Sequence, residues 1–452
     1  MTGDRCASAE PIVEVVDVRN TASSAPELIG ACLDLPGPRA TASTYAVRVA
    51  GWVLARSEPV REIELSVAGN ALRRTPVTLP RPDVAQVHPD AAQAGDCGFD
   101  TELGLIGLPR ECRVAVDGIL SGERRVPLGE LDLRRRPLDC GFRPRLQPLM
   151  VTSLFRMGTT RMMRLLAEHP AVVVQRTYPY ETRVASYWLH ALRVLSQPAN
   201  LHQSSEPTEL LGETAWIGHN PFYRPPITDQ PELEQCLGRD GVEELAAFCL
   251  RAGEQFYLRA AAAQGRPGAL YFAEKHVPDS YAPLLLHELF PRAREIVLVR
   301  DFRDVVCSIL AFNRKRGYPS FGRQKVGSDA EMIELLGERA GRLADAWRER
   351  SDRALLVRYE ELVRAPVATL RRVFEHLEID ADAAAIDAVM RAADRDTPEL
   401  EFHRTTRSPR RSVGRWQREL EPEEIHRCER HLGEALEAFG YGTAGAPEAV
   451  RS

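Results

Sequence analysis

Hydrophobic and polar positions alternate with a period of two over residues 44–133. Tyr45, Val47 and Val49 form one apolar face, and the same alternation recurs at residues 62–67 and 113–116, with turn residues between the runs. This spacing predicts a small antiparallel β-sandwich over residues 41–135. Residues 1–40 carry little periodicity and predict an irregular lead-in, with one early strand at residues 12–18.

The pattern changes after a basic, proline-containing segment at residues 134–148. Short apolar runs and helical periodicity then alternate, which indicates a parallel sheet covered by helices on both faces. We therefore predict a three-layer α/β domain over residues 145–445. The runs predict strands at 149–153, 269–273, 296–300 and 355–359, and helices near 159–168, 240–263, 303–314, 328–350, 366–378 and 422–438.

Composition narrows the class of protein. The chain has 452 residues, 44% of them hydrophobic and 27% charged, which is typical of soluble globular proteins. A net charge of -5 argues against a nucleic-acid binder held by bulk electrostatics. No apolar run is long enough for a membrane span, and the polar start does not resemble a signal peptide.

The nine cysteines form no C-x-x-C pair and no metal-ligand spacing. This pattern is typical of reduced thiols in a cytoplasmic protein. The candidate site residues described below require no metal.

The stretch LMVTSLFRMGTTRMMRLL, residues 149–166, predicts a strand, a tight loop and a helix start. The first amides of a helix lack carbonyl partners and carry the positive end of the helix dipole, so such a loop binds anions. Gly158 lets the backbone approach a phosphate, Thr159 and Thr160 add hydroxyl donors, and Arg156 adds a cation. The pattern lacks the Gly-Lys-Ser/Thr of nucleotide triphosphatases.

A second stretch, EIVLVRDFRDVVCSILAFN at residues 295–313, places Arg300 at a strand end and Ser308 two turns into the following helix. Both positions belong to the crevice above an open α/β sheet, where ligands bind. Arginine suits phosphate because its planar donors form paired, charge-assisted hydrogen bonds. Two anion sites in one domain predict a ligand with two separated phosphates. An ion pair of Arg300 with Asp301 or Asp304 is compatible with this role.

Together these stretches resemble the phosphate-binding motifs of sulfotransferases that use 3′-phosphoadenosine 5′-phosphosulfate (PAPS). The loop Arg156-Met157-Gly158-Thr159-Thr160 is similar to the family's 5′-phosphosulfate loop, with methionine in place of serine. Arg300 and Ser308 keep the eight-residue spacing of the family's 3′-phosphate motif. The resemblance implies the P-loop-like sulfotransferase fold and PAPS as donor.

Two further matches follow in the same order. Tyr359 lies in Arg-Tyr-Glu-Glu-Leu, which is similar to a strand end whose tyrosine lies near the adenine. Arg411, Gly414 and Arg415 lie in a segment that resembles the late basic loop closing over the 3′-phosphate. The resemblance covers roughly residues 145–440 and leaves the β-sandwich outside.

The resemblance implies roles for the catalytic candidates. Arg156 is expected to stabilise charge on the departing phosphate. Glu181 falls where glycan-type and bacterial sulfotransferases carry a glutamate base, whereas His276 falls near the histidine of the cytosolic small-molecule enzymes. We favour Glu181 and keep His276 as the alternative. Lys275 either contacts the transferring group or serves only as a salt-bridge partner.

The sequence therefore predicts a PAPS-dependent sulfotransferase that acts on a hydroxyl of a glycan or of a glycosylated or lipid metabolite. Two other readings stay open, namely a P-loop kinase of a small metabolite and a non-catalytic carbohydrate-binding protein with a degenerate transferase domain. Aromatic residues between 183 and 226 are candidates for the acceptor pocket: Tyr187, Trp188, Trp216, His219, Phe222 and Tyr223. The oligomeric state and the ligand of the sandwich are not determined by the sequence.

Overall fold

The computed structural model describes residues 10–442 except 22–24, 92, 199–235, 279–281, 319–320, 394–400 and 402–403. The chain forms two compact units. The first comprises residues 1–142 and 188–251, and the second comprises residues 143–187 and 252–452.

The N-terminal unit contains two antiparallel sheets, as its period-two pattern predicts for an all-β region. The larger has the order β3-β1-β9-β8-β5-β6 and the smaller β2-β4-β7. Val114 and Val116 of β8 are completely buried, which confirms the predicted alternation. The strands are β1 Val13–Asn20, β2 Leu28–Leu35, β3 Thr41–Ala42, β4 Ala46–Ala55, β5 Glu62–Val67, β6 Asn70–Pro76, β7 Gly98–Gly104, β8 Glu111–Ile119 and β9 Arg125–Arg135.

The irregular lead-in predicted for residues 1–40 is wrong over much of its length. Strand β1 pairs with β9 and strand β2 pairs with β4, so both belong to the sheets. The early strand at residues 12–18 was predicted, but β2 was not. Its residues are mostly half-buried, so its sequence lacks the alternation of apolar and polar positions from which a strand is predicted. Its hydrogen bonds to β4 define it as a strand.

The C-terminal unit contains a parallel sheet of order β11-β12-β10-β13-β14. Four of its strands lie close to their predicted positions, and β11 was not predicted. The strands are β10 Gln147–Thr152, β11 Val172–Val174, β12 Tyr271–His276, β13 Arg294–Val299 and β14 Ala354–Arg358.

The described α-helices start and end near the predicted bounds where a prediction was made. They are α1 Pro82–Val87, α2 Thr159–Glu168, α3 Val184–Leu195, α4 Gly241–Ala263, α5 Ala282–Leu289, α6 Phe302–Arg316, α7 Asp329–Arg350, α8 Tyr359–Arg364, α9 Pro366–His376, α10 Ala383–Ala393, α11 Trp416–Glu419 and α12 Pro422–Ala438. Short 3₁₀ or π turns occupy Ala94–Asp96, Ser121–Glu123, Cys236–Asp240 and Pro409–Ser412.

Helices cover both faces of the parallel sheet and complete the predicted three layers. Val297 and Val299 of β13 pack in a hydrophobic cluster with α6, α7 and α12. The alternate residues Ile296 and Leu298 pack in a second cluster with α2, α9 and α10. Because adjacent strand residues point to opposite faces, the near-continuous apolar run of β13 serves two cores. The polar residues that follow the strands, such as Arg300 after β13, are not part of these two hydrophobic clusters.

Candidate active site

The loop between β10 and α2 depends on Gly158. This residue precedes α2 with φ = 92°, a left-handed conformation that residues with a side chain rarely adopt. A Cβ atom at this position would lie 2.3 Å from Cδ2 of Tyr359. The close approach of the tyrosine ring thus requires glycine here. Thr159 and Thr160 follow as the first residues of α2.

Arg156 and Ser308, which lie 152 residues apart, meet directly. Arg156 Nε donates a hydrogen bond of 3.0 Å to Ser308 Oγ, and its guanidinium lies 4.8 Å from the ring centroid of Phe312. Burial lowers the pKa of Arg156 to about 10, and the positive charges of Arg300 and Arg415 act in the same direction. The two predicted anion motifs therefore form one site, in which crowded cations favour a negatively charged ligand.

Arg300 connects the motifs further. It is 4% exposed, it donates to the backbone oxygen atoms of Arg156 at 3.3 Å and of Ser412, and its guanidinium lies 4.9 Å from the Tyr359 ring centroid. Its Nε has no hydrogen-bond partner among the described residues. A buried donor of this kind is costly unless a ligand accepts from it.

The acidic neighbours of Arg300 have different partners. Asp304 Oδ2 lies 3.9 Å from Arg300 Nη2, whereas Asp301 forms its close ion pair with Arg303 at 2.8 Å. Burial raises the pKa of Asp304 to about 6, against the opposing charge of Arg300. Asp304 also accepts from the backbone N–H groups of Gly414 at 2.7 Å and Trp416 at 3.0 Å. It thereby holds the late loop against α6.

Ser412 of the late loop lines the cavity, whereas Arg411 and Arg415 are not among the described residues that line it. Ser412 Oγ lies 3.2 Å from the Tyr359 hydroxyl. Arg415 is 2% exposed and is used internally, since it pairs with Glu419 at 2.7 Å and donates to Thr405 Oγ1 at 3.0 Å. Arg411 is exposed and lies in a separate surface concavity. The sequence singled out this loop but missed Ser412, whose side chain carries no charge.

Lys275 joins the phosphate loop to the segment carrying Glu181. Its Nζ donates to Thr160 Oγ1 at 3.3 Å, to the Pro179 backbone oxygen at 2.6 Å and to Glu181 Oε1 at 3.3 Å. Burial lowers the pKa of Lys275, while the carboxylate of Glu181 opposes that shift. Lys275 and Glu181 thus form a salt bridge, and the contact with Thr160 places both side chains beside the loop. Glu181 keeps 46% of its side chain exposed.

His276 and Met157 occupy different surroundings. His276 is 4% exposed, its backbone oxygen accepts from the Ser153 N–H at 3.0 Å, and it is not among the described residues that line the cavity. Met157 is completely buried in the hydrophobic cluster of Val297 and Val299. The methionine therefore packs into the core.

These groups surround one cavity of about 330 Å³, a size found in ligand-binding pockets. Cationic, hydroxyl and aromatic side chains line it, with Glu181 as the carboxylate among the described lining residues. Sequence analysis missed Arg161 and Arg164, which follow the loop on α2, and it missed Tyr178 and the 404–406 segment, which only the fold brings to the loop. The lining comprises Phe155, Arg156, Gly158, Thr159, Thr160, Arg161, Arg164, Leu165, Tyr178, Pro179, Glu181, Lys275, Arg300, Ser308, Phe321, Tyr359, Ala393, Arg404, Thr405, Thr406, Pro409 and Ser412.

The predicted aromatic acceptor residues are only partly described. Tyr187 lies on α3 and is 57% exposed, and Trp188 follows it on the same helix. Trp216, His219, Phe222 and Tyr223 lie outside the described residues.

Within the described ranges, no helix is both long and apolar enough to cross a membrane. The same part of the chain shows no group of three or more His, Cys, Asp or Glu side chains able to hold a metal ion.

Comparison with known proteins identifies one family. A model of the sulfotransferase family matches residues 148–383. No curated protein matched the sequence.

Several solved structures resemble the chain. The sulfotransferase domain from the curacin biosynthetic pathway is 13% identical, with a TM-score of 0.40 over 66% of this chain and 98% of that one. The sulfotransferase domain of the Synechococcus PCC 7002 olefin synthase is 19% identical, with a TM-score of 0.38 over 67% and 97%. Mouse sulfotransferase SULT7A1, solved in complex with PAP, is 12% identical, with a TM-score of 0.36 over 66% and 86%.

Proposed function

Because this chain belongs to the sulfotransferase family, we propose that it transfers a sulfuryl group from PAPS to an acceptor hydroxyl. The observation that carries the proposal is the single cavity in which Arg156, Gly158, Lys275, Arg300 and Ser308 meet. These residues come from the two phosphate motifs and from strand β12, which carries Lys275. Their cationic and hydroxyl side chains provide a concentration of positive charge and hydrogen-bond donors suited to two phosphate groups.

The residues present fit such a donor. The buried Nε of Arg300 has no acceptor among the described residues, and Arg156, Lys275 and the hydroxyl side chains of Thr159 and Thr160 line the same cavity. We assign Arg300 and Ser308 to the 3′-phosphate, and Arg156 with the loop 156–160 to the 5′-phosphosulfate. When bound, the donor supplies the sulfuryl group.

The late loop would act partly through its backbone. Gly414 donates its N–H to Asp304, and Arg415 is paired with Glu419, so in this structure both residues shape the loop. Tyr359 is assigned to the adenine side, because its ring contacts both Gly158 and Arg300. Arg411 is kept as a further contact for the 3′-phosphate, which requires it to approach from the exposed surface.

Glu181 is the proposed general base. It lines the cavity beside Lys275 and Thr160, and it is exposed enough to meet an acceptor hydroxyl. Taking the proton of that hydroxyl is a role that contributes roughly 10²–10⁴ in rate. His276 is less well supported as the base, since its side chain is buried and the described cavity lining does not include it.

Lys275 and Arg156 supply the electrostatic part of catalysis. Lys275 holds Glu181 at 3.3 Å from its ammonium group, beside the phosphate loop that it also contacts through Thr160. Arg156, next to the start of α2, stabilises negative charge on the departing phosphate. The chain thus contributes mainly positioning and charge stabilisation, as in phosphoryl transfer.

The acceptor is proposed to be a hydroxyl of a glycan or of a glycosylated or lipid metabolite, on the strength of the glutamate-type base and the accompanying all-β unit. We place the reaction in the cytoplasm. The described cysteines are all free thiols, as a reducing compartment would keep them.

Calorimetric titration of adenosine 3′,5′-bisphosphate without magnesium tests the donor class. We expect wild-type binding and a loss of at least about ten-fold in Arg300→Ala, because each hydrogen bond to a charged group contributes roughly 1.5–3 kcal/mol. Arg353→Ala is the matched control, since Arg353 is 60% exposed and pairs with its neighbour Asp352. If the folded wild type shows no binding of the bisphosphate but binds magnesium-ATP, the proposal is overturned in favour of a kinase.

A further inference from the structure

Glu274 is a completely buried carboxylate on β12 that is not among the described residues lining the cavity. It accepts hydrogen bonds from the backbone N–H groups of Val184 at 2.9 Å and Ala185 at 3.1 Å, and from the Tyr257 hydroxyl at 2.9 Å. Val184 is the first residue of α3. A carboxylate from a distant strand thus caps a helix start that would otherwise leave its amides unpaired.

The next residue of the same strand holds the other end of the segment that precedes α3. Adjacent strand residues point to opposite faces, so Glu274 meets Tyr257 while Lys275 meets Thr160. Lys275 also binds the Pro179 backbone oxygen at 2.6 Å. Only residues 180–183 lie between these two anchors. Glu181 is therefore fixed on both sides, by Lys275 before it and by Glu274 after it.

We propose that Glu274 is a positioning residue that, by fixing the start of α3, holds the segment carrying Glu181 at the edge of the cavity. Its catalytic consequence rests on the proposed sulfuryl transfer. Its structural consequence, the ordering of residues 177–187, does not depend on that function. Loss of the cap would let Glu181 shift relative to the phosphate loop, and small misplacements of reacting groups cost large factors in rate.

The test compares Glu274→Gln with Glu274→Leu in the full chain. Glutamine keeps an oxygen that accepts from Val184 and Ala185, whereas leucine has a similar size and accepts nothing. We expect amide hydrogen exchange in peptides covering residues 177–187 to rise roughly three- to thirty-fold in the leucine variant, the effect of losing a helix cap. We expect the glutamine variant to stay near wild type and peptides over 156–168 to stay unchanged in both.

Activity gives the second measurement. Acceptor-free hydrolysis of PAPS uses water in place of the acceptor: a new bond forms between sulfur and the water oxygen, the bond from sulfur to the 5′-phosphate oxygen breaks, and Glu181 takes the proton. We expect kcat to fall roughly 10–100-fold in Glu274→Leu, with unchanged affinity for adenosine 3′,5′-bisphosphate and rescue by glutamine. A uniform weakening of ligand binding would instead indicate a general structural role and overturn the proposal.

A second variant covers the case in which leucine prevents folding. Val184→Pro removes one of the donors to Glu274 at a helix position that tolerates proline, and it leaves the buried carboxylate in place. We expect hydrogen exchange at residues 177–187 to rise and kcat to fall, as in Glu274→Leu, but each by a smaller factor. Wild-type exchange at 177–187 in both folded variants would refute the positioning role. Failure of the wild type to bind the bisphosphate would refute the proposed function alone, because the exchange comparison still decides the role of Glu274.

Discussion

Replacing Gly158 by alanine should lower stability and donor binding together. The residue has φ = 92°, and an alanine in the left-handed region costs roughly 1–2 kcal/mol. Its Cβ would also lie 2.3 Å from Cδ2 and 2.6 Å from Cε2 of Tyr359. Overpacking of this kind costs roughly 1–3 kcal/mol. The two effects add to roughly 2–5 kcal/mol.

Gly265→Ala is the matched control for the backbone effect. Gly265 lies in the same unit with φ = 67°, and nothing stands within 4 Å of its Cβ position. Only the first cost applies there. In thermal unfolding monitored by intrinsic fluorescence, each kcal/mol shifts Tm by roughly 2–4 °C for a unit of this size. The Gly158 variant should therefore lose clearly more than the control.

Donor binding should separate the two variants further. Any movement of Tyr359 away from the new Cβ disturbs its 3.2 Å contact with Ser412 Oγ and its ring contact with Arg300. We expect calorimetry to show weaker binding of adenosine 3′,5′-bisphosphate in Gly158→Ala and wild-type binding in Gly265→Ala. Equal losses of Tm in the two variants, together with unchanged binding, would refute the argument that the tyrosine ring imposes glycine at this loop.

Three further predictions follow from the same contacts. Glu181→Gln should lower the transfer rate roughly 10²–10⁴-fold with bisphosphate affinity unchanged in calorimetry; a near wild-type rate would exclude Glu181 as the base. Ser308→Ala should weaken bisphosphate binding by roughly the 1.5–3 kcal/mol of a hydrogen bond to a charged group, measured against Ser351→Ala at the exposed end of α7; equal affinities in the two variants would contradict the assignment of Ser308 to the phosphate. Burial raises the pKa of Glu274 to about 7 from 4.5, with the Tyr257 hydroxyl, the α3 amides and the charge of His276 opposing. The folded state therefore binds the proton more tightly than the unfolded state, and the contribution of Glu274 to the free energy of unfolding should fall by roughly 3 kcal/mol as pH rises from 4.5 to 7. Glu274→Gln should flatten the dependence of stability on pH in this range. An unchanged pH dependence would contradict the assignment of this titration to Glu274.

The sequence was sufficient where a local pattern fixes the structure. The helix start at Thr159 follows from hydrophobic periodicity and a glycine, and the strand predicted at residues 296–300 is observed at Arg294–Val299. The same patterns led to the family, because the loop and the spacing of Arg300 and Ser308 are short-range features. Strand β2 and strand β11 escaped prediction, since one is mostly half-buried and the other is only three residues long.

The burial and the partners of the side chains at the site could not be predicted from the sequence. Nothing local distinguishes exposed Glu181 from buried Glu274, or the internally paired Arg415 from the exposed Arg411, because identical side chains acquire different roles from burial and partners. The 3.0 Å bond between Arg156 and Ser308 likewise requires the sheet to bring two distant strands side by side. Periodicity and spacing thus determined the elements, the order of the motifs and the chemistry on offer. Tertiary packing alone decided which of those groups face one cavity, since contacts between distant residues depend on the fold as a whole.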